Sequence, residues 1–193
     1  MAAKVDQRYD RLRSLEAQFT ETYTGSGLSR TESGTLLLKK PGQMRWDYEQ
    51  PRPKLFITDG KTAWFYVPGE RQVRRTAIKD LDDLRSPLRY LLGKTKLEKE
   101  LNGLSLASDQ KPVEANDVVL RGVPKGMQDR VEQTLLEIAP DGLIVRIVVE
   151  ELDGSVTEFR FHQQKENVQL ADQQFRFVPP AGVEIVAGTE MLE

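Results

Sequence analysis

Gln43-Met44-Arg45-Trp46-Asp47-Tyr48 alternates without a break, so Met44, Trp46 and Tyr48 fall on one face of an extended strand and Gln43, Arg45 and Asp47 on the other. The first of these faces is wide, soft and aromatic. Outward from it lie further short β-rich runs: Glu32 to Lys40 before it, and Lys54 to Thr58, Thr62 to Val67 and Arg71 to Thr76 after it. Pro41-Gly42, Pro51-Arg52-Pro53, Asp59-Gly60 and Pro68-Gly69 separate them. Turn residues at this spacing predict a meander of hairpins. Asp59-Gly60 is the clearest tight turn, because glycine tolerates the positive φ that primed turns require. Which face of Thr62 to Val67 matches the Trp46 face stays open.

At the amino end, Val5, Tyr9, Leu12, Leu15 and Phe19 recur every three or four residues and predict an amphipathic helix ending near Leu15. From Glu16 the period shifts toward two, so the helix feeds directly into a strand that Gly25-Ser26-Gly27 ends. In the middle, Asp80 to Leu101 carries Leu81, Leu84, Leu88, Leu91, Leu92, Leu97 and Leu101 at helical spacings, with Ser86-Pro87 as N-cap and first helical residue. Two or three short helices fit there. Strand pattern resumes in Leu104 to Ala107, Asp117 to Gly122, Arg130 to Ala139, Leu143 to Glu150 and Ser155 to Gln163, with Asp141-Gly142 and Asp153-Gly154 as hairpin turns. The sum is a mainly β (α+β) chain with ten or eleven antiparallel strands, which excludes a doubly wound α/β fold. A sheet of that size tends to coil, and the helices are the elements available to cover one of its faces.

The chain has 193 residues, a length that suits one domain over 1–193, and it contains no linker or repeat. No apolar run is long enough for a membrane-spanning helix. Lys+Arg 28 against Asp+Glu 30, a net charge of -2, lacks the basic excess on which nucleic-acid binding draws. Cysteine is absent, which removes disulfides, thiolate chemistry, Cys-ligated zinc and an amino-terminal lipid anchor.

Catalytic signatures are missing as well. The single His162 lies in an alternating strand, so a His-based triad or a multi-His metal site is not expected. Asp82-Asp83 and Glu150-Glu151 are adjacent pairs, and neighbours along a strand point to opposite faces, unlike the two converging acids of a glycosidase. No P-loop, G-x-G-x-x-G or G-x-S-x-G motif occurs. The chain is read as a non-enzyme with no cofactor and no metal. The Met44-Trp46-Tyr48 face then has two readings: ordinary core packing, or the wall of a cavity whose methionine and aromatic lining adapts to varied apolar cargo.

Lys39-Lys40-Pro41-Gly42-Gln43-Met44-Arg45-Trp46-Asp47-Tyr48-Glu49-Gln50-Pro51 followed by Asp59-Gly60-Lys61-Thr62-Ala63-Trp64-Phe65-Tyr66-Val67-Pro68 resembles the paired signature of the outer-membrane lipoprotein carrier (LolA) family. Leu15 to Thr20, Ser86-Pro87-Leu88 and Phe175 to Val183 are similar to the family's helix-to-strand entry, middle helix and closing segment. The resemblance implies a single incomplete antiparallel β-barrel of about eleven strands, with helices forming a lid over an apolar cavity. It implies a monomeric periplasmic carrier, in mature form without its signal peptide. Such a carrier takes acylated lipoproteins from an inner-membrane ABC-type lipoprotein-releasing complex to an outer-membrane receptor. Lipid or glycolipid binding or sensing on the same fold is the alternative, and a carboxylate-dependent hydrolase a more distant one.

Carried onto this chain, the cavity wall comprises Tyr9, Leu12, Leu36, Leu38, Met44, Trp46, Tyr48, Phe56, Ile147 and Phe159. Tyr9 and Leu12 fall on the inward stripe of the first helix, and Leu88, Leu91 and Leu92 on the lid. Many family members have arginine before the signature proline, where it hydrogen-bonds lid backbone; here the residue is Lys40. Lysine lacks the planar five-donor fork, so Lys40 is either a differently built latch or a solvated charge.

Overall fold

The computed structural model describes residues 1–80 and 95–188. In chain order the elements are α1 (Ala2–Arg11), β1 (Ser14–Gly25), β2 (Leu28–Lys39), β3 (Gln43–Gln50), β4 (Lys54–Thr58), β5 (Thr62–Tyr66) and β6 (Gln72–Ala77). After them come α2 (Leu97–Glu100), β7 (Leu101–Leu106), β8 (Val118–Pro124), β9 (Val131–Ile138), β10 (Ile144–Glu151), β11 (Val156–Glu166) and β12 (Glu184–Ala187). The twelve strands form one open sheet in the order β12-β6-β5-β4-β3-β2-β1-β11-β10-β9-β8-β7. Successive pairs from β2 to β6 and from β7 to β11 are antiparallel, as the hairpin turns require. β12 lies parallel to β6 and was not visible in the sequence pattern.

Two boundaries differ from expectation. α1 ends at Arg11, not near Leu15, and Leu12 lies beyond the helix. The cause is tertiary. The Arg13 N–H donates to Asn167 Oδ1 at 2.9 Å, the Arg13 carbonyl accepts the Lys40 N–H at 2.9 Å, and the Ser14 carbonyl accepts the Asn167 N–H at 2.8 Å. These partners take the backbone groups that another helical turn would need. Leu101, expected in a helix, instead begins β7 immediately after the single turn of α2. Ser86-Pro87 and the helices expected around them lie outside the described residues.

The chain packs as two compact units, Met1–Arg11, Phe19–Thr31 and Lys94–His162 in the first, and Leu12–Gln18, Glu32–Gly93 and Gln163–Glu193 in the second. In the first unit, register places Leu120, Leu136, Ile147 and Phe159 side by side across β8 to β11, all buried. The opposite face carries charge: Arg146 pairs with Glu137 at 3.1 Å and with Glu158 at 3.0 Å, and Arg160 also pairs with Glu158. A small cluster of Ala107, Val119, Leu135 and Val148 lies among these pairs. α1 joins this unit through buried Val5 and Tyr9, and the Ile144 N–H donates to the Tyr9 hydroxyl at 2.9 Å.

In the second unit one face of β2 to β5 is apolar, and the chain after β11 packs on the other. Phe175 is buried, and the Phe177 ring lies 5.4 Å from Trp64 and 5.6 Å from Tyr66. Arg45 Nη1 donates to the Gln174 carbonyl at 2.9 Å, and Lys39 Nζ donates to the Leu170 carbonyl at 2.8 Å and to Asp172 Oδ1 at 2.6 Å. That lysine holds the Asp172 carboxyl below the usual carboxylate range.

Candidate functional site

The β3 alternation becomes geometry through its neighbours. Leu36 on β2 stands opposite Trp46, Trp46 opposite Phe56 on β4, and Phe56 opposite Phe65 on β5, so four large side chains form one row. Beside it runs a second row, Leu38, Met44, Thr58 and Ala63. Every member of both rows is buried, and Trp46 is 0% exposed. Cross-strand neighbours on one face have Cβ atoms about 5 Å apart, so the rows make a continuous apolar surface.

One end of this face is polar. Tyr48 stands opposite Lys54, whose Nζ lies 4.7 Å from the centre of the Tyr48 ring and 2.6 Å from Glu32 Oε2. The Lys54 and Glu32 side chains are only 14% and 7% exposed. The strand β5, undecided from sequence because Trp64, Phe65 and Tyr66 are all aromatic, is assigned by its partners. Ala63 and Phe65 face the Trp46 side, and Trp64 and Tyr66 face Phe177.

Of the ten candidate wall residues, Leu36, Leu38, Met44, Trp46, Tyr48 and Phe56 lie together on this face. Leu12 is buried in the same unit but is not on a helix stripe. Ile147 and Phe159 are direct neighbours in the apolar row of the first unit, where Tyr9 is also buried. Lys40 is half-buried, and its backbone N–H is held by the Arg13 carbonyl. Leu88, Leu91 and Leu92 lie outside the described residues. Phe65, Leu120, Leu136 and Val149 occupy equivalent positions and were missed, although period-two counting from the hairpin turns would have placed the last three.

Reactive chemistry is sparse. His162 is exposed on β11. Glu150 accepts a hydrogen bond from Gln133, and Glu151 pairs with Arg130. Asp82 and Asp83 lie outside the described residues. On the charged face of the first unit, burial works against ionised Glu158, but hydrogen bonds from Arg160 and Arg146 outweigh it and lower its pKa. Asp117 shifts upward, through burial and the neighbouring charge of Glu137. Among the described residues no three His, Asp or Glu side chains are grouped to hold a metal ion, and no helix is long and apolar enough to cross a membrane.

These observations define the class as a mainly antiparallel open-sheet protein with wide, buried apolar faces. The family described as outer membrane lipoprotein carrier protein LolA matches residues 10–178, and the chain belongs to it. It is 32% identical over 176 residues to the outer-membrane lipoprotein carrier protein of Chromobacterium violaceum, covering 91% of this chain and 82% of that one. It is 28% identical over 179 residues to the protein of the same name from Nitrosospira multiformis, covering 91% and 83%. Among solved structures, an uncharacterized conserved protein from Thermus thermophilus matches with a TM-score of 0.62 and 13% identity over 97% of this chain and 100% of the other. A DUF1329 family protein from Desulfovibrio piger matches with a TM-score of 0.53 and 17% identity, covering 91% and 94%. At these identities the two structures speak to the fold alone.

Proposed function

We propose that this chain is a periplasmic chaperone that shelters the acyl chains of lipoproteins and carries them from the inner to the outer membrane. The observation that carries the reading is the buried row Leu36-Trp46-Phe56-Phe65, in a chain of the lipoprotein-carrier family. An acyl chain withdrawn from water gains about 0.8 kcal/mol per buried methylene, which apolar rows of this kind supply without any reaction. In this reading the candidate wall residues of each unit touch the chains. An inner-membrane ABC-type lipoprotein-releasing complex loads the carrier and an outer-membrane receptor unloads it.

The two tryptophans, on opposite faces of the second unit, give a direct test. In a Trp64→Phe protein, Trp46 is the only indole. A diacylated peptide brominated along its chains should quench that fluorescence strongly, and should quench the Trp64 signal of a Trp46→Phe protein much less. Equal quenching in the two proteins, or none in either, would sink the assignment of the Trp46 face.

A further inference from the structure

One row of the first unit is chemically unlike its neighbours. Two residues along from the Leu120-Leu136-Ile147-Phe159 row, register places Gly122, Thr134, Val149 and Thr157 side by side across β8 to β11 on the same apolar face. The two rows are about 6.7 Å apart along the strands. Thr134 is 0% exposed and Thr157 2% exposed, and neither Oγ1 has a hydrogen-bond partner among the described residues. They stand on either side of Val149, about 9.5 Å apart across two strand spacings. At Gly122 a Cβ would come within 2.9 Å of Leu101 Cβ, so the end of the row has no room for a side chain.

A buried hydroxyl without a partner is costly, and valine would fit either position in nearly the same volume without that cost. The same face offers only hydrocarbon in the adjoining row, so these two donors stand where an otherwise apolar guest would carry its first polar atoms. An acyl chain has such atoms at its head, where a carbonyl oxygen of an ester or amide accepts hydrogen bonds and loses solvation on entering an apolar site.

Resting on the carriage reading above, we infer that Thr134 and Thr157 are the polar register of the cargo surface, donating hydrogen bonds to the carbonyl oxygens at the heads of acyl chains whose tails lie along Leu136, Ile147 and Phe159. The hydroxyls set how far a chain enters. They also make the surface selective for acyl over alkyl chains, because a carbonyl buried without a donor is penalised and an ether oxygen is a poorer acceptor.

The test uses the full chain and two peptides, one carrying a diacylglyceryl group with ester links and one carrying its dialkyl ether counterpart. Wild type should prefer the ester peptide by about tenfold, the effect of two ordinary hydrogen bonds. The Thr134→Val/Thr157→Val protein should lose that preference while still binding the ether peptide with wild-type affinity. Thr134→Ser/Thr157→Ser should keep it. The valine protein should also melt at or above the wild-type temperature, because no internal hydrogen bond is lost. A valine protein that retains the ester preference, or one that melts clearly lower, overturns the inference and leaves carriage standing. So does a wild type that binds both peptides equally. A wild type that binds neither peptide overturns the carriage reading, and the inference with it.

Discussion

Lys54 shows at the scale of one residue what the sequence pattern could not display. Alternation along β4 puts Lys54 on the same face as Phe56 and Thr58, which reads as a flaw in an apolar stripe. The register of three strands removes the flaw, since β3 brings the Tyr48 ring beneath the ammonium and β2 brings the Glu32 carboxylate to 2.6 Å. A pair this deeply placed is held by mutual compensation, so removing one member deprives the other, still buried, of its nearest opposite charge. Lys54→Met should therefore lower the unfolding free energy by about 3 kcal/mol in urea titrations, and Glu32→Leu/Lys54→Met should recover most of that loss. A Lys54→Met protein within a few tenths of wild type would mean that the pair is solvated. Met44, Trp46 and Tyr48 were legible in advance because one strand suffices to assign them. Lys54 and Thr134 were not, since their meaning depends on partners tens of residues away.

Among elements, the ones that punctuation announces were readable and the ones that contacts create were not. β4 runs over the predicted Lys54–Thr58, bounded by prolines on one side and Asp59-Gly60 on the other. There Asp59 Oδ1 accepts the Lys61 and Thr62 N–H groups and Gly60 takes φ 95°. β12 has no such announcement: Glu184–Ala187 is four residues of mostly exposed side chains, and it becomes a strand only because β6 lies beside it. What delivers it there is the tail packed on the Trp64 face, anchored by Phe175 and pinned by Lys39. Phe175→Ala should cost about 3–5 kcal/mol as a buried aromatic truncation. It should also do so locally: β6 amides should lose hydrogen-exchange protection while those of β8 to β10 keep theirs. Uniform loss across both sets would show that the tail supports the whole sheet.

For the molecule as a whole, the question is whether its two compact units unfold separately. Three strands argue that they do not. β1 contributes its residues through Gln18 to the second unit and from Phe19 to the first, β2 divides between Thr31 and Glu32, and β11 divides between His162 and Gln163. Each of these divisions falls inside a strand, so one continuous extended segment carries residues of both units, unlike the exposed linkers at which domains ordinarily divide. We therefore propose that 1–193 is one cooperative domain, and the positions of the probes make this measurable. Both tryptophans lie in the second unit, so their fluorescence follows that unit, while exchange of β8 to β10 amides follows the first. The two signals should give the same urea midpoint. Saturating diacylated peptide should move both together, by about 2.7 kcal/mol at a hundredfold excess over its Kd, because a ligand bound only to the folded state stabilises everything that unfolds with its site. If the fluorescence midpoint moved and the exchange midpoint did not, the units would be independent and the acyl chains would be held by the Trp46 face alone.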